Sequence, residues 1–403
     1  MTLVTATACD LDPTALEHPP RPLEQLATEF LGGCDLQARP YQQRIIRSAL
    51  QMFAGRFERR DGGLAEPAAS VLIESPTGSG KTVMGLATAA LLQRLTGCRV
   101  GWVAMRRNLL AQAAAENARR RFGLQMQTIS MFDKHPPEAD LLVIDEAQHD
   151  AATSMANLHC QIRPRWTLGL SATPYRSDRI KLCFDHVIRD AGIASLIADG
   201  YLSRYHHYTI PSYTPQAIAD LLIGDPDKWG QSLVFFHRRE QCDLLKLLLT
   251  QAGVPCEVVT ASSNRERQLQ QFESGRLPVL INMAILTEGF DCPRLQTVFC
   301  RPSGKGCTIQ MAGRVLRPCP DVPVKQIVQC RQTPHPMLKT AMAAEQYLWT
   351  ESGWRSIRAN ARLDELTRIA RQRVAQTTVA LPKLVSMHRS RTNRFPGSGR
   401  GGL

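Results

Sequence analysis

No Cys-x-x-Cys pair occurs anywhere among the twelve cysteines of this chain. Cys300 and Cys307, or Cys319 and Cys330, stand too far apart to supply a zinc knuckle, so no zinc is expected. Scattered cysteines read instead as reduced, mostly buried thiols in a cytosolic protein, and the expected location is cytoplasmic. No apolar run approaches the roughly 20 residues that a membrane-spanning helix needs. The opening stretch MTLVTATACDLDPTALEHPP lacks a basic segment followed by a long apolar one, which argues against a secretory signal. No nuclease motif is recognisable after about residue 330, and little length is expected there for a methylase or target-recognition domain. Acidic residues are also short: 36 Asp and Glu face 49 Lys and Arg, a net charge of +13. That excess favours polyanion partners, nucleic acid first and an anionic membrane surface second.

The 403 residues leave room for two or three domains, and 43% hydrophobic with 21% charged residues fits a globular protein. Residues 1–38 are Pro-rich with little periodicity and read as a lead-in with one short helix. Over 39–204 short apolar runs, SVLIES (70–75), VGWVAM (100–105), LLVID (141–145) and TLGLSA (167–172), alternate with helical patterns such as KTVMGLATAALLQRL. That alternation predicts parallel βαβ units in an open sheet. Residues 205–230, rich in Tyr, Pro and Gly, read as a linker with one helix. A second α/β run occupies 231–333, with SLVFFH (232–237), CEVVTA (256–261), LPVLINM (277–283) and TVFCR (297–301) as strands. Residues 334–380 read as a helical extension. Residues 381–403 read as a disordered basic tail, either a solvated terminus or an electrostatic contact with nucleic acid. The expected fold is α/β, with two parallel-sheet lobes in tandem, a small helical C-terminal extension and a basic tail.

The most specific signal is VLIESPTGSGKTVMG, a strand running into a Gly-rich turn that opens a helix. Gly78 and Gly80 permit backbone conformations closed to other residues. Loop N–H groups and the helix N-terminus then form a ready anion site. Lys81 is placed to reach the β- and γ-phosphates of a nucleotide, and the Thr82 hydroxyl to ligate Mg²⁺. Ser75 stands where the general G-x-x-x-x-G-K-[ST] pattern has Gly. Further along, LLVIDEAQH ends a buried strand with two adjacent carboxylates. Asp145 is suited to hold Mg²⁺ and Glu146 to polarise an attacking water. Finally, TIQMAGRVLRP spaces Gln310, Arg314 and Arg317 three and four residues apart, which puts them on one helix face. Alone, that face reads first as a solvated cationic stripe, and only second as side chains reaching toward an anionic group elsewhere in the protein.

The ordered set of motifs resembles the superfamily 2 helicases and translocases over residues 39–318. RPYQQRII resembles the adenine-reading motif, with Arg39 and Gln42 as its candidates. SPTGSGKT resembles motif I, VAMRRNLLAQ motif Ia, TISMF motif Ib and DEAQH motif II in the DExH style. SATP resembles motif III, SLVFFHRRE motif IV, MAILTEGFDCP motif V and QMAGRVLRP motif VI. The form Q-x-x-G-R-x-x-R-P, with T-E-G-F-D, is most similar to the branch of type I and type III restriction translocases and Rad25-like DNA helicases.

The resemblance implies two RecA-like lobes with ATP and Mg²⁺ between them. The nucleotide would lie on Ser75, Pro76, Thr77, Gly78, Ser79, Gly80, Lys81 and Thr82, with Gly289 and Asp291 sensing ATP and nucleic acid together. Arg314 and Arg317 would reach the γ-phosphate from lobe 2, and Gln310 would orient water or phosphate. His149, Ser171, Ala172 and Thr173 would couple hydrolysis to strand movement. Arg106, Arg107 and Thr128 in lobe 1, with Arg238 and Thr287 in lobe 2, would grip nucleic-acid phosphates, DNA rather than RNA in this branch. Arg106, Arg107, Arg238 and Arg239 also read as solvated surface charge, and His149 as a neutral surface histidine. The function this implies is an ATP-driven helicase or translocase. The alternatives are an ATP-gated nucleic-acid clamp that does not unwind, and a motor subunit within a larger restriction or defence complex.

Overall fold

The computed structural model describes residues 21–56, 66–149, 153–173, 182–260, 262–283, 292–342, 345–350 and 353–356, with isolated residues 16, 19, 369, 372 and 373. The first lobe is built on β1 (Ser70–Glu74), β2 (Val100–Ala104), β3 (Met126–Ser130), β4 (Leu141–Asp145), β5 (Trp166–Ser171) and β6 (His186–Ile188). Their order across the sheet is β3-β2-β4-β5-β1-β6, and every pairing is parallel. Every residue of β2, β4 and β5 is buried. Continuous apolar runs of this kind are what a parallel sheet covered on both faces requires.

Six helices accompany this sheet: α1 (Leu23–Gly32), α2 (Pro40–Phe53), α3 (Lys81–Thr96), α4 (Arg107–Arg120), α5 (Thr153–Ile162) and α6 (Ile193–Ala198). Pro40 opens α2, where its missing N–H costs nothing. Tyr41, Ile45, Ile46, Ala49, Leu50 and Phe53 then recur at helical spacing and bury one face. The helix after the Gly-rich loop, α3, lies hard against the sheet because Gly85 carries no side chain. A Cβ there would stand 2.6 Å from a Leu170 methyl carbon and 3.2 Å from the Trp102 ring.

The second lobe holds β7 (Tyr205–Ile210), β8 (Ser232–Phe235), β9 (Cys256–Val259), β10 (Val279–Asn282), β11 (Thr297–Phe299), β12 (Lys325–Cys330), β13 (Gln346–Thr350) and β14 (Gly353–Ser356). Their order is β14-β13-β7-β12-β11-β8-β10-β9. All pairs are parallel except the β13–β14 hairpin. Its helices are α7 (Pro215–Gly224), α8 (Pro226–Trp229), α9 (Arg239–Gln251), α10 (Arg265–Glu273) and α11 (Lys305–Gly313).

Two expectations are corrected. Residues 205–230, read as a linker, supply β7 in the interior of the second sheet, followed by two helices rather than one. The sequence YHHYTI looks polar, yet its polar tips are satisfied inside the lobe. The ring of His207 pairs with the Gln329 side-chain oxygen at 2.9 Å, and the Tyr205 hydroxyl donates to the Met337 carbonyl at 2.6 Å. The helical extension expected over 334–380 instead contains the β13–β14 hairpin. Aromatic pairing fixes it: Tyr347 stacks on Tyr208 with ring centroids 4.9 Å apart, and Trp349 meets its cross-strand partner Trp354 at 5.0 Å. The tail at 381–403 lies outside the described residues.

The lobes meet through α11 and the turn after it. Ile309, Met311, Val315 and Leu316 continue the apolar core of lobe 1 across the boundary. They come close at Gly313, where a Cβ would stand 2.5 Å from the Thr77 Cβ. A Cβ on Gly78 would likewise lie 3.2 Å from a Leu202 methyl carbon and 3.8 Å from the Arg317 Cγ. The Ser203 N–H donates to the Leu316 carbonyl at 2.8 Å and ties the connection between lobes to this turn. Gly313→Ala is therefore expected to push the lobes apart, raising the radius of gyration in small-angle scattering. Adding Thr77→Gly, which removes the atom struck, is expected to reverse the change. An unaltered profile for Gly313→Ala alone would show that this contact does not set the lobe separation.

Candidate nucleotide and nucleic-acid site

The Gly-rich loop leaves β1 at Ser75 and opens α3 at Lys81. Gly78 and Gly80 both lie in the left-handed region, at φ 86° and 85°. L side chains are strained there, so these positions need glycine. The loop braces itself: the Ser75 hydroxyl donates to the Ser79 hydroxyl at 2.7 Å, and Ser79 donates to the Pro76 carbonyl at 2.7 Å. Thr82 follows Lys81 in the first turn of α3.

Gln42 of α2 acts on this loop directly, and Arg39, the residue before that helix, meets it through Gln42 and Tyr41. The Gln42 side-chain N–H donates to the Ser79 carbonyl at 3.0 Å, while its oxygen accepts the Arg39 backbone N–H at 3.0 Å. Tyr41, which sequence reasoning quoted but did not single out, donates its hydroxyl to the same Ser79 carbonyl at 2.6 Å. The Arg39 guanidinium lies over the Tyr201 ring, 4.7 Å from its centroid. A cavity of about 490 Å³ opens between the lobes beside Ser75 and Pro76, with Ala172, Ile309 and Lys305 on its other walls.

Parallel strands β1, β5 and β4 are consecutive, so their C-terminal ends align. The Ser75 N–H donates to the Ser171 carbonyl at 3.0 Å, which ties the loop to the end of β5. Asp145 ends β4 and is buried, and its carboxylate accepts the Glu146 N–H at 3.0 Å. Glu146 sits at φ 55°, a conformation a non-glycine residue adopts only at a cost of about 1–3 kcal/mol. Gln148 connects the two strand ends. Its amide N–H donates to Glu146 at 2.8 Å and its oxygen accepts the Ser171 hydroxyl proton at 2.6 Å. Ser171 also accepts the Thr173 N–H at 3.1 Å, which shapes the turn around Ala172.

Gln148 was missed in the sequence, where His149 took the coupling role. In a D-E-x-H count starting at Asp145 the fourth position falls on Gln148, and counting along the motif would have found it. The His149 side chain lies outside the described residues, as do Thr287, Gly289 and Asp291.

Lys81 is only 7% exposed, with its ammonium 3.5 Å from the Pro76 carbonyl. Burial pushes it below the ordinary lysine range. The carboxylates of Glu146 and Asp145 oppose that shift, and the charges of Arg314 and Arg317 reinforce it. Residues of both lobes therefore act on one ammonium. The single helix face expected for Gln310, Arg314 and Arg317 is corrected: α11 ends at Gly313. Gln310 is half-buried on the helix, Arg314 is the 7%-exposed residue capping its end, and Arg317 arrives from the turn beyond. Burial pushes the Arg317 guanidinium down to about 10.

Arg107 and Thr128 line one groove of about 410 Å³ on lobe 1, with Ser130 and Asp133. Arg106 is the N-cap of α4 beside it. Its charge reaches across to Arg265 at the start of α10, which burial first and Arg106 second hold below the ordinary arginine range. Arg238 stands exposed at the start of α9, apart from that groove.

Known proteins match the same regions. The model of the type III restriction enzyme res subunit matches residues 35–130, and that of the helicase conserved C-terminal domain matches residues 214–319. A 51.5 kDa protein of a Lactococcus phage is 26% identical over 269 residues, covering 58% of this chain and 59% of the relative. The chain thus spans about three-fifths of that relative's length. Among solved structures, the ATP-dependent Type ISP restriction-modification enzyme LlaBIII bound to DNA superposes with a TM-score of 0.53 at 14% identity. That match covers 74% of this chain and 28% of the enzyme. Dbp5 of Saccharomyces cerevisiae, bound to RNA and ADP BeF3, superposes at 0.50 with 15% identity, covering 74% of this chain and 89% of Dbp5. These two solved structures share the tandem-lobe fold. The two family models, one matching each lobe, identify the chain as a superfamily 2 helicase or translocase.

Proposed function

We propose that this chain is a nucleic-acid-stimulated ATPase that moves along or unwinds a strand, DNA in preference to RNA. The carrying observation is the gathering of Lys81, Asp145 and Glu146 from lobe 1 with Arg314 and Arg317 from lobe 2 around one buried ammonium. Three cations against two carboxylates leave a local excess that a triphosphate would neutralise. Lys81 binds the β- and γ-phosphates, and the loop N–H groups of 77–82 hold the remaining oxygens. Glu146, held by Gln148, accepts a proton from the attacking water. Arg314 and Arg317 stabilise charge developing on the transferred phosphoryl group, and Gln310 orients the water.

The Thr82 hydroxyl and the buried Asp145 carboxylate form a hard oxygen donor set, which fits Mg²⁺. When bound, the ion neutralises phosphate charge. Arg39 and Gln42 set the loop and the adjoining base site. Arg106, Arg107 and Thr128 bind strand phosphates on lobe 1, with Arg238 and Thr287 on lobe 2. Gly289, Asp291 and His149 act as sensors between the sites. The match to a restriction-enzyme subunit over 35–130 supports DNA. A motor that works inside a larger restriction or defence assembly is the second reading, supported by the family match to a restriction-enzyme subunit.

Phosphate release should be measured without nucleic acid and with single-stranded DNA, duplex DNA or RNA, followed by strand displacement. Stimulation with neither unwinding nor translocation would leave the clamp reading. Lys81→Ala is expected to abolish hydrolysis. Arg314→Ala should reduce it by about 10³- to 10⁵-fold, and full activity in that variant would overturn the cross-lobe role. Gln148→Ala, which frees Glu146 and Ser171, is expected to retain nucleotide binding but lose most stimulation by nucleic acid. Stimulation equal to that of the unmodified chain would place coupling elsewhere.

A further inference from the structure

Phe132 is 62% exposed, the most exposed of the large apolar side chains among the described residues and the one aromatic ring in that group. A phenylalanine so placed forgoes most of the stabilisation that burial would give it. It does not sit on a wandering loop. Met131 before it is buried, and its N–H donates to the Ala104 carbonyl at 3.2 Å. The Phe132 N–H donates to the Ser130 hydroxyl at 3.3 Å and the Asp133 N–H to the Ser130 carbonyl at 2.9 Å. The Asp133 carboxylate in turn accepts the His135 N–H at 3.2 Å. The turn after β3 therefore holds the ring out at a fixed place.

That place is the C-terminal edge of a parallel sheet, the edge at which α/β folds bind ligands. Ser130 and Asp133, on either side of Phe132, line the same groove as Arg107 and Thr128. Lys134 follows in the chain, and Arg106 adjoins Arg107. Arg265 of lobe 2, one of whose terminal nitrogens is buried without a hydrogen-bond partner, feels the Arg106 charge from across the cleft. A rigid, exposed aromatic ring beside a groove bordered by cations is the pairing that single-stranded nucleic acid uses: phosphates on the cations, a base on the ring.

We propose that Phe132 is a base-stacking residue, taking one unpaired base of a strand whose phosphates run along Arg106 and Arg107. This rests on the reading above that the chain binds nucleic acid. Stacking reads the face of a base, so Phe132 carries no base preference. It demands that the base be unpaired at this point, which a phosphate grip by itself does not.

The test uses the full chain and fluorescence anisotropy with labelled single-stranded DNA and RNA of one sequence, plus an abasic DNA strand of equal length. Phe132→Ala is expected to weaken binding to base-containing strands by about 5- to 150-fold, with the slope of log affinity against log salt unchanged. Phe132→Trp is expected to restore it. On the abasic strand Phe132→Ala and the unmodified chain should bind alike. Arg107→Ala should instead weaken all strands together and lower the salt slope by about one. Base-containing strands held within twofold by Phe132→Ala, or an equal loss on the abasic strand, would overturn stacking while leaving nucleic-acid binding intact. No binding of any strand by the unmodified chain would overturn the broader reading and this one with it.

Discussion

The structure depends on one close approach, Gly313 against Thr77. A side chain at 313 would collide with the loop, so glycine there lets α11 come down onto it. Arg314 follows immediately at the end of that helix, and the turn carries Arg317 over Gly78. The two arginines reach Lys81 because a residue with no side chain precedes them. Lys81 and Arg317 are both withdrawn from water, and at Lys81 the two carboxylates of lobe 1 only partly offset that cost. Such a site holds electrostatic strain that an anion of several charges relieves.

Within lobe 1 the strand order does the corresponding work. With β5 between β1 and β4, the loop, the Ser171–Thr173 turn and the acidic pair stand side by side. Two short connections join them: the Ser75 N–H to the Ser171 carbonyl, and the Ser171 hydroxyl through Gln148 to Glu146. Glu146 is thus connected by hydrogen bonds to the turn at Thr173, which lies under lobe 2 near Gly306. The left-handed conformation of Glu146 is held by this network and not by local preference.

Much of this was readable from the chain because buried parallel strands write themselves as unbroken apolar runs. SVLIES, LLVID, SLVFFH and LPVLINM all carry strands of the sheets. What escaped has physical reasons. The strand YHHYTI hid behind histidines and tyrosines whose polar atoms find partners only in the folded lobe. The hairpin of β13 and β14 is held by Tyr347 on the distant Tyr208 and by the cross-strand pair Trp349 and Trp354, contacts that periodicity cannot show. At the site, the loop glycines and the acidic pair could be placed from pattern alone. Gln148 stands at the fourth position of the acidic motif and could be placed as well, but its hydrogen bond to Ser171 in another strand could not be read from the chain. The spacing of Gln310, Arg314 and Arg317 suggested a continuous helix. The chain instead turns after Gly313, and the turn aims the second arginine.

Closure of the two lobes gathers like charge at two places. At one, Arg314 and Arg317 approach Lys81; at the other, Arg265 approaches Arg106. Both encounters are repulsive until an anion stands between the groups. Under the function proposed here those anions are the nucleotide phosphates and the strand phosphates. Each ligand then lowers the electrostatic cost of the same closed arrangement, so each must favour the other's binding by an equal free energy. Coupling between fuel and track then has an electrostatic component beside the Gln148 connection. That component comes from setting cations of both lobes against one another across a single cleft, with the Gln148 connection in lobe 1 beside it.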